Sequence, residues 1–318
     1  MNSMETSLAP TGITQLPDAG RGAGQDRART KPEITAYLAP RSLDEALQAM
    51  ADGDATVLCG GTDLAPQTES GMRQYKAKLL NIRRIAGLGG IEAEGDEVRI
   101  GAVTTISEIR RNPALARIAP VLVEAAEHFA SEQIRNAASV GGNLCNASPA
   151  GDMIPPLLVL DASVELACWQ GGAVKTRRIP LERFFVGPGK TVKLPEELLT
   201  AIVFDRPAAD FVGKFRKSGP RPALEISTVS VAFGARVADG RLSNVRVAMG
   251  SVAPTPLRAV HVEAALEGKP LDATTIAAAV AATAQDAKPI DDVRASAWYR
   301  GHLVRVFVEE VLDDVRGN

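Results

Sequence analysis

Two glycine turns rich in small polar side chains are the residues of this chain best suited to hold a ligand. The first turn is Cys59-Gly60-Gly61-Thr62-Asp63, and the second is Ala138-Ser139-Val140-Gly141-Gly142-Asn143. A diphosphate close to the main chain needs N–H donors that point into a concavity, and a Cβ at the closest positions would hold the anion away. The two turns together therefore predict one pyrophosphate site.

A purely structural explanation is also open for the first turn, since two glycines after a strand are typical of a tight connection capped by Thr62 or Asp63. The second turn favours a ligand site, because its glycines are flanked by Ser139, Asn146 and Ser148, more polar groups than a structural turn requires. Neither turn has the glycine spacing of the Rossmann fingerprint or of the P-loop.

The composition indicates a soluble globular protein. The chain has 318 residues, of which 45% are hydrophobic, with 36 basic and 38 acidic residues. A balanced charge without strong blocks argues against nucleic acid or an anionic membrane as the main partner, and no apolar run is long enough to span a bilayer. Small molecules and other proteins remain as partners.

The cysteines do not form a metal-binding pattern. Cys59, Cys145 and Cys168 lack the short pairing and the number needed to ligate an iron–sulfur cluster or a structural zinc. Their apolar settings predict buried thiols in a reducing compartment, so we expect a cytoplasmic protein. The histidines are scattered singly, and the sequence predicts no catalytic residue and no metal ligand.

The elements that must position these turns divide into a tail and two domains. Residues 1–30 have no apolar pattern and are predicted to be a disordered tail. Residues 31–207 alternate short apolar strands with capped helices. Residues 211–316 contain two long β-rich runs followed by two helices, so the fold class predicted for the whole chain is α+β.

Local signals place each turn at the end of a predicted element. An apolar strand over residues 55–59 enters the first turn. A helix after Pro113, with an apolar stripe that continues to Phe129 and Ala130, leads to the second turn. Asp152 precedes two prolines and is a plausible N-cap of a short helix.

Four segments carry a resemblance to a known family: residues 57–64 (VLCGGTDL), 81–85 (NIRRI), 138–152 (ASVGGNLCNASPAGD) and 292–300 (DVRASAWYR). They resemble the FAD-binding (medium) subunit of the xanthine dehydrogenase family of molybdenum hydroxylases, from about residue 31 to residue 316. The resemblance implies a two-subdomain FAD-binding domain of the vanillyl-alcohol-oxidase/xanthine-dehydrogenase (PCMH) type. A smaller α+β flavoprotein C-terminal domain would follow it.

By position, the resemblance also implies which residues contact the cofactor. They are Leu58, Cys59, Gly60, Gly61, Thr62, Asp63, Leu64, Phe129, Ser139, Gly141, Gly142, Asn143, Asn146, Asp152, Leu199 and Lys217. Residues 58–64 would wrap the pyrophosphate, and the second turn would close it from the other side. Asn146 stands where the family often has threonine, which leaves its hydrogen-bond partner open.

Other members of this set keep a second explanation. Phe129 and Leu199 match flavin-proximal positions of the family but are equally compatible with an ordinary core. Asp152 matches an aspartate that binds the adenosine part, and one carboxylate can accept from the backbone as well. Lys217 matches a cationic position that would favour reduced, anionic flavin, although a gap of one residue would shift this role to Arg216.

The function implied by the resemblance is the last electron relay of a multi-subunit enzyme. A large molybdopterin subunit would hydroxylate the substrate, and [2Fe–2S] clusters of a small subunit would pass electrons to non-covalent FAD. NAD⁺ or another acceptor would then receive them, in a dimer of heterotrimers. One alternative is a self-sufficient flavoprotein oxidoreductase, for which no acid or base is visible. The other is a non-catalytic scaffold, which would not need the polar turns.

Overall fold

The computed structural model describes residues 34–219 and 225–317, so the predicted tail lies outside the described residues. Helices and strands alternate along the described chain, which confirms the predicted α+β class. The strands are β1 (Ala36–Leu38), β2 (Ala55–Leu58), β3 (Lys78–Asn81), β4 (Ile91–Glu92), β5 (Glu97–Gly101), β6 (Ser163–Gln170), β7 (Ala173–Pro180), β8 (Phe185–Gly187), β9 (Lys190–Thr191), β10 (Leu198–Asp205), β11 (Phe211–Ser218), β12 (Val229–Ala238), β13 (Arg241–Gly250) and β14 (Leu257–Arg258). The helices are α1 (Leu43–Met50), α2 (Leu64–Glu69), α3 (Ile106–Arg111), α4 (Pro113–Ile118), α5 (Pro120–Glu127), α6 (Glu132–Ala137), α7 (Val140–Asn146), α8 (Ile154–Val159), α9 (Val260–Leu266), α10 (Ala273–Asp286) and α11 (Ala297–Arg316).

The first subdomain is a small parallel sheet in the order β1-β3-β2, with α1 packed nearby. Helix α1 begins after Ser42, whose Oγ accepts from the N–H of Glu45 and so caps the helix. Its apolar face, with Leu47 and Met50, is buried in one cluster with Leu80 of β3. Strand β2 lies at the edge of this sheet and leads directly into the first glycine turn.

The second subdomain is an antiparallel sheet in the order β4-β5-β10-β6-β7, together with helices α3 to α8. Strands β6 and β7 form a hairpin, and both of its turn residues, Gly171 and Gly172, have positive φ. Helix α3 begins with a complete capping box between Thr105 and Glu108.

The expectation of a single helix after Pro113 is wrong. The chain instead forms α4 and α5, because Pro120 has no N–H and begins a new helix. Helix α5 ends before Phe129, Ala130 has a φ of 36°, and Ser131 caps the additional helix α6. Phe129 therefore lies in a connection between helices and not on a helical stripe.

The third region is an antiparallel sheet in the order β11-β12-β13-β14 with helices α9 to α11 against it. The two long β-rich runs and the two long helices are found as predicted. Asp272 caps α10 and Ser296 caps α11, each through its side-chain oxygen. Helix α11 extends to Arg316, since its buried apolar positions continue to Val315.

The second and third regions share one hydrophobic core. Phe215, Ala232 and Ala248 of the third sheet belong to the same buried cluster as Leu157 of α8. Helix α5 packs on β11, and α8 packs on β12 and β13. The N–H of Phe215 also donates to Glu124 Oε2 at 2.7 Å. The sheet of the third region therefore covers one helix before the second glycine turn and one helix after it.

Within the ranges that the structure covers, no helix has the length and apolar character needed to cross a bilayer.

Candidate functional site

A cavity of about 370 Å³ brings the two glycine turns together. Its size is within the range of small-molecule sites. Of the predicted set, the residues on its wall are Cys59, Gly60, Gly61, Thr62, Asp63, Leu64, Phe129, Ser139, Gly141, Gly142, Asn143, Asn146 and Leu199. Leu58, Asp152 and Lys217 are not on the wall that the described residues form.

The first turn supplies unpaired main-chain donors. It connects β2 to α2, and Gly61 adopts a φ of +71° that favours glycine. In the described structure, no residue accepts a hydrogen bond from the N–H groups of Gly60, Gly61, Thr62 or Asp63. Consecutive free N–H groups in a concave turn form an anion-binding nest, so this turn is chemically suited to a phosphate.

Gly60 and Gly141 are required for a steric reason that differs from the one predicted from the sequence. A Cβ on Gly60 would lie 2.0 Å from the carbonyl oxygen of Ala137, and a Cβ on Gly141 would lie 2.7 Å from that of Ala102. Both positions therefore require glycine because two backbone segments touch there. Close approach of a ligand is not needed to explain them.

The second turn is the beginning of helix α7 and not a second nest. Ser139 Oγ accepts from the N–H of Gly142 at 3.1 Å, and the N–H of Gly141 donates to Ala102 O at 2.9 Å. The N–H of Asn143 donates to Ser139 O at 3.0 Å. Its main-chain donors are thus already paired, and the expectation that both turns offer free N–H groups is wrong.

What α7 offers instead is a side-chain acceptor. Asn143 Oδ1 is buried and has no hydrogen-bond partner among the described residues. A buried amide oxygen without a partner costs free energy, so this atom is suited to accept from a ligand hydroxyl or N–H. The cavity therefore combines a donor nest on one side with an acceptor on the other.

Asn146 connects the two sides of the cavity. Its Nδ2 donates to Asp63 Oδ2 at 3.2 Å, and its Oδ1 accepts from Gln67 Nε2 at 2.9 Å. These contacts supply the partners that the sequence left open. Both ends of the amide are engaged by the first turn and by α2, so Asn146 fixes the distance between that turn and α7.

The charge of Arg73 reaches both sides of the cavity. Burial raises the pKa of the Asp63 carboxyl, and the positive charge of Arg73 opposes this effect. Burial also raises the pKa of the Cys145 thiol, against the charges of Lys193 and Arg73. Cys145 is therefore a protonated thiol at neutral pH and not a nucleophile.

Sequence reasoning missed several polar residues of the wall, namely Arg73, Gln74, Lys76, Lys193 and Glu197. Glu197 is buried, and its carboxylate accepts from Arg177 Nε at 2.5 Å and Nη2 at 2.8 Å. None of these residues belongs to a recognisable motif. The only available signal was the group of cations shortly after the first turn.

Asp152 and Lys217 form a buried ion pair beside the cavity. Lys217 Nζ lies 2.6 Å from Asp152 Oδ2, and Ser227 Oγ donates to Asp152 Oδ1 at 2.5 Å. Burial raises the pKa of Asp152, and Lys217 counteracts this. A Cβ on the preceding Gly151 would lie 3.3 Å from Asn143 Oδ1, which shows that the pair is close to the cavity wall.

Two expectations are changed by this geometry. Asp152 does not cap α8, because its oxygens are held by Lys217 and Ser227, and the N-cap position is occupied by Met153. Arg216 forms an ion pair with Asp314 of α11. Of the two cations considered from the sequence, it is therefore Lys217 that contacts the segment of residues 138–152, through Asp152.

Comparison with known proteins decides the family. Residues 31–206 match the model described as "FAD binding domain in molybdopterin dehydrogenase", and residues 214–315 match "CO dehydrogenase flavoprotein C-terminal domain". The chain belongs to this family of FAD-binding subunits. The predicted resemblance and the two-domain architecture are confirmed, and FAD is the cofactor of the first domain.

Relatives in this flavoprotein family span nearly the whole described chain. The xanthine dehydrogenase FAD-binding subunit of Escherichia coli O157:H7 is 33% identical over 285 residues, which is 89% of this chain and 96% of that protein. The nicotine 6-hydroxylase medium subunit of Paenarthrobacter nicotinovorans is 31% identical, over 87% of this chain and 95% of that protein. The solved carbon monoxide dehydrogenase of Hydrogenophaga pseudoflava matches with a TM-score of 0.82 at 30% identity, over 88% of this chain and 96% of that chain.

These relatives are subunits of oxidoreductases, so the chain is a flavoprotein subunit of an enzyme of this kind. The described residues contain no group of three or more His, Cys, Asp or Glu side chains that could hold a metal ion. The cysteines Cys59, Cys145 and Cys168 are free thiols.

Proposed function

We propose that this chain transfers electrons within a xanthine dehydrogenase-like molybdenum hydroxylase. Its FAD accepts electrons from the [2Fe–2S] clusters of a partner subunit and passes them to NAD⁺ or another acceptor. The observation that carries the proposal is that one cavity is lined both by residues 60–63, whose N–H groups are free in the described structure, and by α7 with its unpaired Asn143 oxygen. The family match supports FAD as the ligand of this cavity.

Different residues of the wall contact different parts of the cofactor in this proposal. The N–H groups of residues 60–63 bind the diphosphate, and Asn143 Oδ1 accepts from a hydroxyl or N–H group of the dinucleotide. Leu64, Phe129 and Leu199 give the wall apolar surface that excludes water. FAD supplies the redox chemistry when it is bound, while the protein supplies position and electrostatics.

Asp152 and Lys217 remain proposed cofactor contacts. What supports them is that Gly151, the neighbour of Asp152 in the chain, lies close to Asn143 of the cavity wall. Lys217 as the buried cation would favour negative charge on a nearby ring. Leu58 remains a proposed contact as the residue that enters the first turn.

The proposal of partner subunits is supported by the names of the relatives. Several relatives are called medium subunits or medium chains, and one is part of a named dehydrogenase complex. We propose a large molybdopterin subunit and a small [2Fe–2S] subunit as partners, assembled as a dimer of heterotrimers. The free cysteines support the cytoplasm as the location.

Purification of the full chain tests the role of FAD. We expect a yellow protein whose flavin is released into the supernatant by acid precipitation, because no covalent link is proposed. Flavin that remains in the acid pellet would contradict non-covalent binding. The absorbance spectrum before and after precipitation measures both outcomes.

Isolation of the complex from its native source tests the electron path. The reduced complex should be reoxidised by NAD⁺ or by another acceptor in a way that requires this chain, and the isolated chain should not be reduced by the substrate alone. Reduction of the isolated flavoprotein by a small substrate would favour the self-sufficient alternative. Stopped-flow absorbance of the flavin distinguishes the two.

A further inference from the structure

Three cations line the cavity, and they differ in what their side chains already hold. Lys76 Nζ donates to the carbonyl oxygen of Gly53, and Lys193 Nζ donates to the carbonyl oxygens of Leu194 and Glu197. The guanidinium of Arg73 has no hydrogen bond or ion pair with any residue in the described ranges. Among the described residues, it is thus the cation of this wall whose charged group is not held by the protein itself.

The position of Arg73 is fixed although its guanidinium has no partner. Its main-chain N–H donates to Gln67 O at 3.1 Å, and Gln67 is held in turn by Asn146. The side chain is half-buried on the wall. Its charge acts on Asp63, the last residue of the N–H nest, and on Cys145 of α7. Asn146, which holds Gln67, also donates to Asp63, and these hydrogen bonds place Arg73 at the end of the cavity where the nest is found.

Neutral N–H groups alone leave the charge of a diphosphate uncompensated. Asp63 adds a negative charge beside the nest, which makes the need for a cation greater. A guanidinium offers donors in a planar fork that matches phosphate oxygens, and it keeps its charge at every physiological pH.

From this arrangement we infer that Arg73 binds the diphosphate of FAD, completing the N–H nest of residues 60–63 as a second, charged donor. The inference rests on the proposed function in that FAD occupies the cavity. It adds a residue that lies outside the four segments of family resemblance, and it assigns this residue to the diphosphate and not to the flavin ring.

The test compares Arg73→Gln, Arg73→Lys and the control Arg117→Gln in the full chain freed of flavin. Arg117 is an exposed arginine on α4 that does not line the cavity. Binding of FAD, of ADP and of riboflavin is measured by titration. We expect Arg73→Gln to weaken FAD and ADP binding by about 10-fold or more, with Arg73→Lys intermediate and Arg117→Gln unchanged. Riboflavin binding, which involves no diphosphate, should not change in any variant.

Salt provides a second measurement. Raising the ionic strength from about 0.05 M to about 0.5 M should weaken FAD binding to the unmodified chain more than it weakens FAD binding to Arg73→Gln. The reason is that salt screens the charge of the half-buried Arg73 guanidinium, which the variant lacks. Equal FAD affinity in Arg73→Gln and the unmodified chain would overturn the inference, and so would an equal loss for riboflavin. Absence of FAD binding by the unmodified chain would instead overturn the proposed function.

Discussion

Gly60 is the residue on which the shape of the site depends most. A Cβ at this position would lie 2.0 Å from Ala137 O and 2.6 Å from Ala137 C, and these are backbone atoms that cannot rotate away. The contact joins the first turn to the chain just before α7. A side chain here must therefore separate the two halves of the cavity.

Substitution of Gly60 by alanine is expected to weaken FAD binding strongly and to lower the free energy of unfolding by about 1–3 kcal/mol, since extra atoms in a closed contact force the backbone to move. FAD titration and urea denaturation measure the two effects. Gly187→Ala is the matched control, because a Cβ at Gly187 meets nothing within 4 Å. We expect that control to stay within about 0.5 kcal/mol of the unmodified chain. A Gly60→Ala chain with normal FAD affinity would contradict this account of the contact.

At this scale the sequence predicts membership of the site better than the role of each member. The resemblance implied that Phe129 and Leu199 lie near the cofactor, and both line the cavity. The residue pattern alone was also compatible with an ordinary core at these positions. It could not show that the N–H groups of Gly141 and Asn143 are already paired, because that depends on Ala102 and Ser139 as acceptors. Arg73 was missed, since the end point of a long side chain is set by tertiary packing.

Among the elements, the segment between β9 and β10 forms one wall of the cavity and is held by Glu197. Its carboxylate accepts from Arg177 of β7 and from the N–H of Leu194 at 2.7 Å. Lys193 and Pro195, which also line the cavity, belong to the same segment. Burial alone would raise the pKa of Glu197, but these hydrogen bonds outweigh it and hold the pKa below its ordinary value of 4.5.

Glu197→Gln is expected to lower the free energy of unfolding by about 1–3 kcal/mol at neutral pH, because the charge-assisted hydrogen bonds are lost. A carboxylate with a lowered native pKa stabilises the fold above its unfolded pKa, and this contribution disappears as the pH falls through the native value. The difference between the variant and the unmodified chain should therefore shrink below pH 4.5. Urea denaturation at about pH 7 and about pH 4 measures it.

The neighbouring pair of Arg178 and Glu97 provides the control for this element. Both side chains are largely exposed, at 49% and 43%, so their ion pair is screened by water. Glu97→Gln should change the free energy of unfolding by less than about 1 kcal/mol at either pH. An equal effect of both substitutions would show that burial of Glu197 is not the cause.

Capping signals allowed several elements to be located correctly from the sequence. Ser42, Thr105 and Asp272 are residue types that favour helix N-termini, and each caps a helix through its side-chain oxygen. The helix after Pro113 was predicted wrongly because an apolar stripe was given more weight than Pro120. Asp152 was assigned to a cap because the sequence does not show that Lys217 lies next to it.

In the molecule as a whole, the two matched domains are not separable bodies. The described residues of both belong to one compact unit, and Phe215, Ala232 and Ala248 bury their side chains in the core of the first domain. The packing of these two domains on one another could not be read from composition or periodicity. Each domain has a complete set of strands and helices, and the two are joined by the packing of α5 and α8 on the third sheet and by hydrogen bonds such as those of Asp152 with Lys217 and Ser227.

The full chain is expected to unfold in one transition that both domains share, because their common core is lost together. The two tryptophans allow a direct check, since Trp169 lies in β6 of the first domain and Trp298 lies in α11 of the second. Fluorescence of the single-tryptophan variants Trp169→Phe and Trp298→Phe should give the same urea midpoint. Midpoints that differ clearly between the variants, while far-UV circular dichroism shows two steps, would indicate independent domains.

Gly60 packs against main-chain atoms of Ala137, and glycine itself contributes only main chain to this contact. The contact therefore does not depend on the side chains around it. Replacements of surrounding side chains leave the geometry of that junction untouched, so the cleft can keep its form while most of the lining changes. An insertion or deletion within either bend would displace the junction itself. We therefore expect the length of these two short stretches to be strictly preserved, together with Gly60 and Gly141, while the other residues in them vary.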